Sequence, residues 1–443
     1  MSLRVLTGIK PTGVPHLGNY VGAIRPAVAA STQAGVESFY FLADYHALVS
    51  THDPVRVQRS TLEIAASWLA CGLDPDRVAF YRQSDIPETT ELTWLLSCVA
   101  GKGLLNRAHA YKAAVDRNRA EGDDDDAGVT AGLYMYPVLM AADILLFNAH
   151  RVPVGRDQVQ HIEMARDFAQ RFNHLYGEHF TLPEAVIEEQ VATLPGLDGR
   201  KMSKSYDNVI PLFAPREQLK RLVFSIVTDS RAPGEPKDTT GSALFQLYQA
   251  FASDAETAEM RDAFAGGIGW GEAKARVFER IDAELAPLRG RYEALVADPA
   301  ALERVLCRGG ERLREEIARP FLARLREAVG LRDLSRGAGT TAGAGATAAR
   351  AAAPPVFKQY READGRFHFK LVDGERLLLQ GEGFESPRDA GRVVAALKSG
   401  AARPRVDAAG CVWLDDQAVG ALGEGVDADA LAAALARFAE DAA

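Results

Sequence analysis

Short apolar runs alternate with longer stretches of helical spacing over the first 200 residues. Four runs predict strands, at residues 4–8, 39–44, 78–81 and 151–155. The last three are almost continuously apolar, as is typical of parallel strands buried on both faces of a sheet. Between them the spacing is helical, for example at Val55, Leu62 and Ala66. This alternation predicts an α/β fold, a doubly wound Rossmann-like parallel sheet with ligands at the carboxyl ends of its strands.

The pattern changes after this first domain, which we assign to residues 1–214. Residues 215–334 carry apolar side chains at helical spacing, among them Leu302, Leu306 and Leu313, and predict an all-helical domain. Gly, Ala and Thr then dominate residues 335–355. Such a composition is typical of a flexible linker.

The last segment, residues 356–443, predicts a small α+β domain and resembles a ββα module found across bacteria. Phe367, Phe369 and Leu371 alternate with other residues before Asp373-Gly374, a typical hairpin turn. Pro387 stands where proline commonly begins a helix. The segment holds 11 Lys and Arg against 15 Asp and Glu. Its net charge of −4 therefore favours a protein-contact or structural role over nucleic-acid binding.

Composition narrows the class of protein. The chain has 443 residues, 47% hydrophobic and 25% charged, enough for two or three globular domains. No apolar run approaches the roughly 20 residues that span a bilayer, and the first residues do not resemble a leader. We therefore expect a cytoplasmic protein without membrane contact. The four scattered cysteines form no C-x-x-C pair, so we expect reduced thiols and no dedicated metal site.

Two segments carry the candidate chemistry, and the first is GIKPTGVPHLGNY at residues 8–20. It lies between the first predicted strand and a helix. Gly13 and Gly18 allow close backbone approach to a ligand, and the N–H groups at a helix start attract phosphate. His16 and Asn19 can donate hydrogen bonds to phosphate oxygens. Taken alone, a turn of this kind is more often structural.

The second segment is GRKMSKS at residues 199–205, in a loop that follows another predicted strand. Lys201 and Lys204 are three residues apart, so both can close over a triphosphate and neutralise the charge that moves onto pyrophosphate. A lone motif of this kind is usually a solvated basic turn. When the two segments are taken together, a structural turn and a solvated basic turn no longer explain them.

The two segments resemble the paired signatures of class I aminoacyl-tRNA synthetases. Residues 16–19 resemble the HIGH signature, with Asn19 in place of its second histidine, and residues 201–205 match KMSKS letter for letter. The resemblance implies that a carboxylate attacks the α-phosphorus of ATP, which is bound with Mg²⁺. It makes His16, Asn19, Lys201 and Lys204 the catalytic residues. The ATP-binding positions that it implies are Lys10, Pro11, Thr12, Gly18, Asn19, Gly155, Arg156, Asp157, Lys201, Met202, Ser203, Lys204 and Ser205.

Residues 136–163 point to the amino-acid substrate. Met140 and Asp143 are three residues apart and share one face of a predicted helix. A thioether and a carboxylate suit an indole, because sulfur packs against the ring and the carboxylate accepts the ring N–H. The alternative is a core methionine beside an aspartate on the helix surface.

The same stretch resembles the tryptophan branch of the synthetase family, a likeness that covers residues 1 to about 330. The resemblance implies L-tryptophan and tRNA(Trp) as substrates. It assigns Asp143 to the indole N–H and assigns Tyr136 and Gln158 to the ammonium group. Met140, His46 and Asp44 belong to the same predicted pocket.

Two alternatives remain at this point. A tyrosyl-tRNA synthetase shares the fold and both signatures, but a phenol both donates and accepts a hydrogen bond, whereas an indole only donates. The other is a phosphate-binding protein without ligase activity. The P-loop pattern G-x-x-x-x-G-K-[ST] does not occur in the chain. Adenylate formation from a chosen amino acid would separate these readings.

Cations and aromatic residues mix at 102–112, within an insertion at about 101–135. Such a mixture suits the unpaired acceptor end of tRNA, although an ordinary solvated helix is equally consistent with it. The family resemblance implies a homodimer with acceptor-stem and dimer contacts in this insertion, and an anticodon-binding role for the helical domain. Candidate anticodon contacts are Arg304, Arg308, Arg312 and Arg319. The acidic run 123–126 predicts a self-repelling loop.

Overall fold

The computed structural model describes residues 2–187, 194–331, 355–362, 365–374, 376–399 and 404–440. The chain divides into two compact units, Met1–Arg332 and Asp333–Ala443. Apart from its last residue, the predicted linker at 335–355 lies outside the described residues. The domain boundary predicted after residue 214 falls inside the first unit.

A five-stranded parallel sheet forms the centre of the first unit, in the order β3-β2-β1-β4-β5. Its strands are β1 (Leu3–Ile9), β2 (Val36–Leu42), β3 (Ala79–Arg82), β4 (Arg151–Val154) and β5 (Glu184–Ile187). The predicted fold class and its four predicted strands are confirmed. The edge strand β5 was not among the four predicted runs, because it lies at the edge of the sheet, exposes Glu184 and Ile187, and so lacks the continuous apolar run of a buried strand.

Helices flank the sheet and fill the rest of the unit. In chain order they are α1 (Leu17–Asn19), α2 (Arg25–Ala30), α3 (Asp44–Leu48), α4 (Pro54–Ala70), α5 (Glu88–Ser97), α6 (Lys102–Leu105), α7 (His109–Glu121), α8 (Ala131–Leu145), α9 (Val159–Tyr176), α10 (Arg216–Ser225), α11 (Ala243–Phe251), α12 (Asp254–Ala265), α13 (Trp270–Ala297), α14 (Pro299–Leu313) and α15 (Arg319–Ala328). The predicted helical segment is confirmed in α10 to α15. No helix in the described part of the chain is both long and apolar enough to cross a membrane.

Two hydrophobic clusters cover the two faces of the sheet. Alternate residues of β2 enter different clusters, Tyr40 and Leu42 on one face and Phe39 and Phe41 on the other, as the period of two requires. The cluster that contains Tyr40 continues into the helical segment, for example at Val277 of α13. The helical segment therefore shares a core with the sheet, which is why the two form one compact unit.

Helices α14 and α15 pack along β3 and α5. Gly309 makes the contact possible, because a Cβ there would lie 2.1 Å from the carbonyl oxygen of Phe80 in β3. Ion pairs join the same elements, namely Arg82–Glu303, Arg308–Asp76, Arg314–Glu88, Arg319–Glu88 and Arg326–Glu91. Two of the predicted anticodon candidates, Arg308 and Arg319, are therefore engaged in contacts within the unit.

The acidic run 123–126 differs from its prediction. Arg119 pairs with Asp125 at 2.7 Å, and the Tyr111 hydroxyl donates to Asp126 at 2.8 Å. A cation and a hydroxyl from α7 thus offset the repulsion that the run alone implies.

The second unit is an antiparallel six-stranded sheet with two helices, which confirms the predicted α+β class. Its order is β6-β7-β8-β11-β10-β9. Its elements are β6 (Val356–Arg361), β7 (Phe367–Asp373), β8 (Arg376–Gly381), α16 (Pro387–Ser399), β9 (Arg405–Val406), β10 (Cys411–Leu414), β11 (Gln417–Leu422) and α17 (Ala428–Glu440). The predicted hairpin is β7–β8, and α16 begins at Pro387 as predicted.

Candidate active site

The candidate residues gather at the carboxyl ends of four neighbouring strands. Residues 10–19 follow β1, Asp44 and His46 follow β2, Gln83 follows β3, and residues 155–158 follow β4. Because parallel strands end at one edge of the sheet, these segments lie side by side. The edge is where ligands bind in sheets of this type.

His16 fixes the first signature segment by capping α1. Its Nδ1 accepts a hydrogen bond from the Asn19 N–H at 3.3 Å, and Asn19 Oδ1 accepts from the His16 N–H at 3.1 Å. Burial, and then the positive charge of Lys204, lower the pKa of His16 to about 4. The imidazole is therefore neutral near pH 7. Since Nδ1 accepts, we assign the ring proton to Nε2, which can act as a donor.

The helix that follows this cap is locally widened. Residues Tyr20–Ile24 form a π turn between α1 and α2. Such turns are rare and frequently occur at functional sites. The Tyr20 hydroxyl donates to Glu284 of α13 at 2.9 Å, which ties the turn to the helical segment.

A cavity of about 480 Å³ extends along β1 and β4 to their carboxyl ends. Four of the predicted ATP-binding residues line it, Lys10, Thr12, Asn19 and Gly155. A second cavity, of about 210 Å³, shares Lys10 and Thr12 with the first. Its lining residues are Lys10, Pro11, Thr12, Ala47, Ser50, Thr51, Arg56, Val57 and Ser60. Lys10 and Arg56 make this smaller cavity suitable for an anion.

The second signature loop reaches the first. Lys204 Nζ donates to the Thr12 carbonyl oxygen at 2.8 Å, across 192 positions of the chain. Burial lowers the pKa of Lys204. Met202 is buried in the core, and a Cβ at Gly18 would lie 3.7 Å from the Met202 Cβ. The loop is thus anchored by a buried side chain, while Lys201 and Ser205 are exposed.

Asn208 organises this loop and was missed by the sequence analysis. It is 3% exposed. Its Oδ1 accepts from the Ser203 N–H at 2.8 Å, and its Nδ2 donates to Asp198 at 2.7 Å and to the Lys201 carbonyl at 3.0 Å. A lone asparagine after a signature has no periodic pattern by which it could be recognised.

Asp143 lies in a buried polar network. It is 3% exposed, and burial raises its pKa. Gln83 Nε2 donates to both carboxylate oxygens at 2.8 and 2.9 Å, and His46 Nε2 lies 2.9 Å from Oδ2. Gln83 was also missed, because its partner is 60 residues away in the chain. Asp143 is an interior acceptor, and the alternative of a helix-surface aspartate is wrong.

Aromatic rings extend this network. The Tyr136 ring lies 6.3 Å from the His46 ring and 5.2 Å from the His161 ring, and the Tyr136 hydroxyl is 2.7 Å from His161 Nε2. Burial raises the pKa of Tyr136 and lowers that of His161. Met140 packs against the hydrophobic cluster that contains Phe39 and Phe41. Predicted tryptophan-binding residues from α3 and α8 therefore meet here.

The remaining predicted residues have other neighbours. Asp44 accepts hydrogen bonds from the backbone and hydroxyl of Ser84. Gln158 Nε2 donates to Asp157 at 2.8 Å, within the 3₁₀ turn Arg156–Gln158. No hydrogen bond between described residues joins Asp44 or Gln158 to Asp143. Among those residues, no group of three acidic, histidine or cysteine side chains is placed to hold a metal ion.

Comparison with known proteins extends this geometry. The family "tRNA synthetases class I (W and Y)" matches residues 1–286. The tryptophan–tRNA ligase of Xanthomonas axonopodis pv. citri is 73% identical over 403 residues, 90% of this chain and 93% of the relative. The tryptophan–tRNA ligase of Pseudomonas aeruginosa is 59% identical over an alignment of 448 positions, which covers 99% of this chain and 99% of the relative.

A solved structure shows the same fold. Tryptophanyl-tRNA synthetase from Campylobacter jejuni, complexed with ADP and tryptophan, superposes with a TM-score of 0.68 at 41% identity and covers 74% of this chain and 100% of its own. The chain therefore belongs to the class I tRNA synthetases of the tryptophan and tyrosine family. Within that family, the relatives described above are tryptophan enzymes.

Proposed function

We propose that this protein activates L-tryptophan with ATP and transfers the activated amino acid to tRNA(Trp). The first step forms tryptophanyl-adenylate and pyrophosphate, and the second releases AMP. The observation that carries the proposal is the contact between the two signature segments: Lys204 is bonded to the carbonyl of Thr12, and Thr12 lines the cavity together with Lys10 and Asn19. The tryptophan–tRNA ligases at 59–73% identity support the choice of amino acid.

The phosphate chain of ATP would lie between the first signature and Lys204. His16 Nε2 supplies a neutral donor, and Lys10, Arg56 and Lys204 supply positive charge near Thr12. A bound triphosphate would replace the Thr12 carbonyl as the partner of Lys204. Gly155 would lie against the nucleoside, since it lines the same cavity at the end of β4.

Tryptophan would present its indole N–H to Asp143. Gln83 and His46 both bond this carboxylate, so its orientation is set before the substrate arrives. An acceptor oriented in advance avoids the free-energy cost of reorganisation on binding. We keep Tyr136 at the ammonium end, as the family resemblance implies; its ring lies beside the His46 ring in the same pocket. The assignments of Met140, Asp44 and Gln158 to the pocket stay predictions.

In the reaction itself, the protein positions the two substrates and stabilises the charge that develops on pyrophosphate. The tryptophan carboxylate attacks the α-phosphorus, the bond to the β-phosphate oxygen breaks, and pyrophosphate leaves. Lys201 and Lys204 stabilise the departing charge, an effect typically worth about 10²–10³ in rate per donor. Mg²⁺ would be held mainly by phosphate oxygens and would neutralise the same charge. A ribose hydroxyl of tRNA then attacks the adenylate carbonyl, and AMP departs.

We extend the proposal to assembly and RNA contacts. The protein would act as a homodimer, with dimer and acceptor-stem contacts in the insertion at 101–135. Lys102 lies 5.8 Å from the Tyr134 ring, and Tyr111 and Tyr134 pack edge to face at 5.0 Å. This cation and aromatic surface supports the assignment. The helical segment would bind the anticodon, where Arg304 and Arg312 stay candidates.

Aminoacylation tests the whole reaction. Purified protein would be incubated with ATP, Mg²⁺, labelled tryptophan and transcripts of tRNA(Trp) or tRNA(Tyr). We expect labelled tRNA(Trp) with one AMP formed for each amino acid transferred. A parallel reaction would contain labelled tyrosine in place of tryptophan, and charging of tRNA(Tyr) in that reaction, with none of tRNA(Trp) in the first, would replace this function with the tyrosine alternative.

A further inference from the structure

The second unit consists of two similar halves. The elements β6-β7-β8-α16 and β9-β10-β11-α17 repeat one order, and the halves meet where β8 pairs antiparallel with β11. Both helices begin at a capping side chain. Ser386 Oγ accepts from the N–H three residues later at 3.2 Å, and Asp427 Oδ1 does the same at 2.8 Å. An approximate twofold axis at the centre of the sheet therefore relates the halves.

Both helices pack on one face of this sheet. Phe369 of β7, Val412 of β10 and Val419 of β11 share a cluster with Val393 of α16 and Leu431 of α17. Side chains alternate across a strand, so the intervening residues point to the opposite side. We call that opposite side the second face. The residues on it that matter here are Lys358, Tyr360, Lys370, Gln380, Arg405 and Trp413.

A cation lies over an aromatic ring in each half of the second face. In the first half, Lys370 Nζ is 5.6 Å from the Tyr360 ring centroid, and Gln380 donates to the Tyr360 hydroxyl at 2.6 Å. In the second half, the Arg405 guanidinium is 5.7 Å from the Trp413 ring centroid. The two pairs occupy equivalent strands, β6–β7 and β9–β10. Each half of the second face therefore presents one cation–aromatic pair.

Charge is unevenly distributed over the unit. Residues 356–443 carry a net charge of −4, yet Lys358, Lys370 and Arg405 all point to the second face. Two acidic groups nearby have partners: Asp407 accepts from the Trp413 indole N–H at 3.0 Å, and Glu362 is 3.8 Å from His368. A third, Glu382, is exposed two residues after Gln380. The net charge alone therefore does not describe this face.

We propose that the second face binds unpaired nucleotides of the tRNA substrate. Bases stack on exposed aromatic rings, and Lys and Arg neutralise the phosphates between them. The inference rests on the proposed function, in which tRNA is the second substrate. It replaces the expectation of a protein-contact or structural role, which was drawn from the net charge of residues 356–443. Phosphate binding depends on the local arrangement of cations and not on the net charge.

Two matched single variants test the location of the surface. Lys358→Glu and Arg388→Glu each change the charge by two at an exposed residue, but Arg388 lies on α16, on the helical side. Binding of a fluorescent tRNA(Trp) transcript to the full chain would be followed by anisotropy. We expect Lys358→Glu to weaken binding about tenfold at low salt, and Arg388→Glu to weaken it less than about twofold.

Two further variants separate charge from stacking. In the triple variant Lys358→Glu, Lys370→Glu, Arg405→Glu, the slope of log Kobs against log salt should shrink in magnitude by about two. In Trp413→Leu, binding should weaken about tenfold while the slope is unchanged, because stacking releases no counterions. A thermal melt checks that each variant is folded.

Pyrophosphate exchange without tRNA, on the same preparations, separates this inference from the proposed function. Unchanged exchange with weaker tRNA binding supports the inference. Wild-type affinity and salt slope in the folded triple variant would overturn it and leave the face to a protein partner. Equal weakening by Arg388→Glu and Lys358→Glu would overturn it too. Failure of the wild-type chain to catalyse exchange would instead refute the proposed function.

Discussion

At the scale of single residues, Asp143 determines the predicted specificity for tryptophan. Replacing it by alanine removes the indole acceptor and leaves the Gln83 amide and His46 without their buried partner. An unpaired buried polar group costs about 1–3 kcal/mol. We therefore expect Asp143→Ala to lower kcat/KM for tryptophan by about 10²-fold or more, while the KM for ATP stays unchanged.

Steady-state exchange kinetics with each substrate varied in turn would measure this effect. Asp143→Asn is the matched control, because it keeps the volume and one acceptor oxygen and should lose less activity. The assignment fails if Asp143→Ala discriminates between tryptophan and phenylalanine as well as the wild type does.

His16 gives a prediction about pH. Its pKa is lowered from 6.5 to about 4, so the neutral form, whose Nδ1 accepts from the Asn19 N–H, is present above pH 4 and is lost only as the pH falls through that value. The ratio of kcat/KM for ATP between the wild type and His16→Asn should therefore stay constant from about pH 5.5 to 8. A ratio that declines below pH 6.5 would mean that His16 titrates like a solvated imidazole.

Residues differ in how far their sequence context reveals them. His16, Asn19, Lys201 and Lys204 stand in patterned segments whose spacing carries chemical meaning. Gln83 does not, since it is one glutamine after a strand and its role depends on Asp143 far along the chain. Such positioning residues act through tertiary contacts, and a single sequence does not encode those as a local pattern.

At the scale of elements, the close contact of α14 with β3 can be tested. A Cβ at Gly309 would lie 2.1 Å from the Phe80 carbonyl oxygen, so α14 must shift to accept alanine. We expect Gly309→Ala to lower the free energy of unfolding by about 1–3 kcal/mol, as overpacking commonly does. Denaturant titration would measure the change.

Gly290 in α13 is the matched control. A Cβ there meets nothing within 4 Å. Gly290→Ala should therefore be neutral or stabilising by up to about 1 kcal/mol, because alanine favours helix more than glycine does. Equal destabilisation by both substitutions would contradict the packing argument.

Secondary-structure elements were predicted where an apolar run or a helical period stands out from the surrounding sequence. The apolar runs of β1 to β4 and the helical spacing of α4 and α14 were sufficient to predict these elements. The second half of the C-terminal repeat was missed because β11 and α17 are rich in Ala and Gly. Small side chains weaken the contrast between buried and exposed positions on which periodicity depends.

At the scale of the whole molecule, the two compact units predict separable activities. Every residue assigned to ATP or tryptophan belongs to Met1–Arg332. A chain cut after Leu334 should therefore catalyse tryptophan-dependent exchange within about threefold of the full chain, because a Gly- and Ala-rich linker need not belong to either core. Its tRNA binding should weaken, through loss of the second face.

Exchange and tRNA anisotropy on the truncated protein, with a thermal melt, would measure both effects. Loss of exchange from a folded truncation would place part of the tryptophan or ATP site in the second unit. The likeness to the Campylobacter structure, which covers 74% of this chain, is consistent with a catalytic unit that functions without the remainder.

Amino-acid-dependent pyrophosphate exchange tests the central claim most directly. Full-length protein, ATP, Mg²⁺ and labelled pyrophosphate would be combined with either tryptophan or tyrosine, without tRNA. Tryptophan should support rapid formation of labelled ATP, and tyrosine should be at least about 10²-fold less effective in kcat/KM, because Asp143 is oriented to accept a ring N–H. Comparable exchange with tyrosine, or none with tryptophan, would contradict the account.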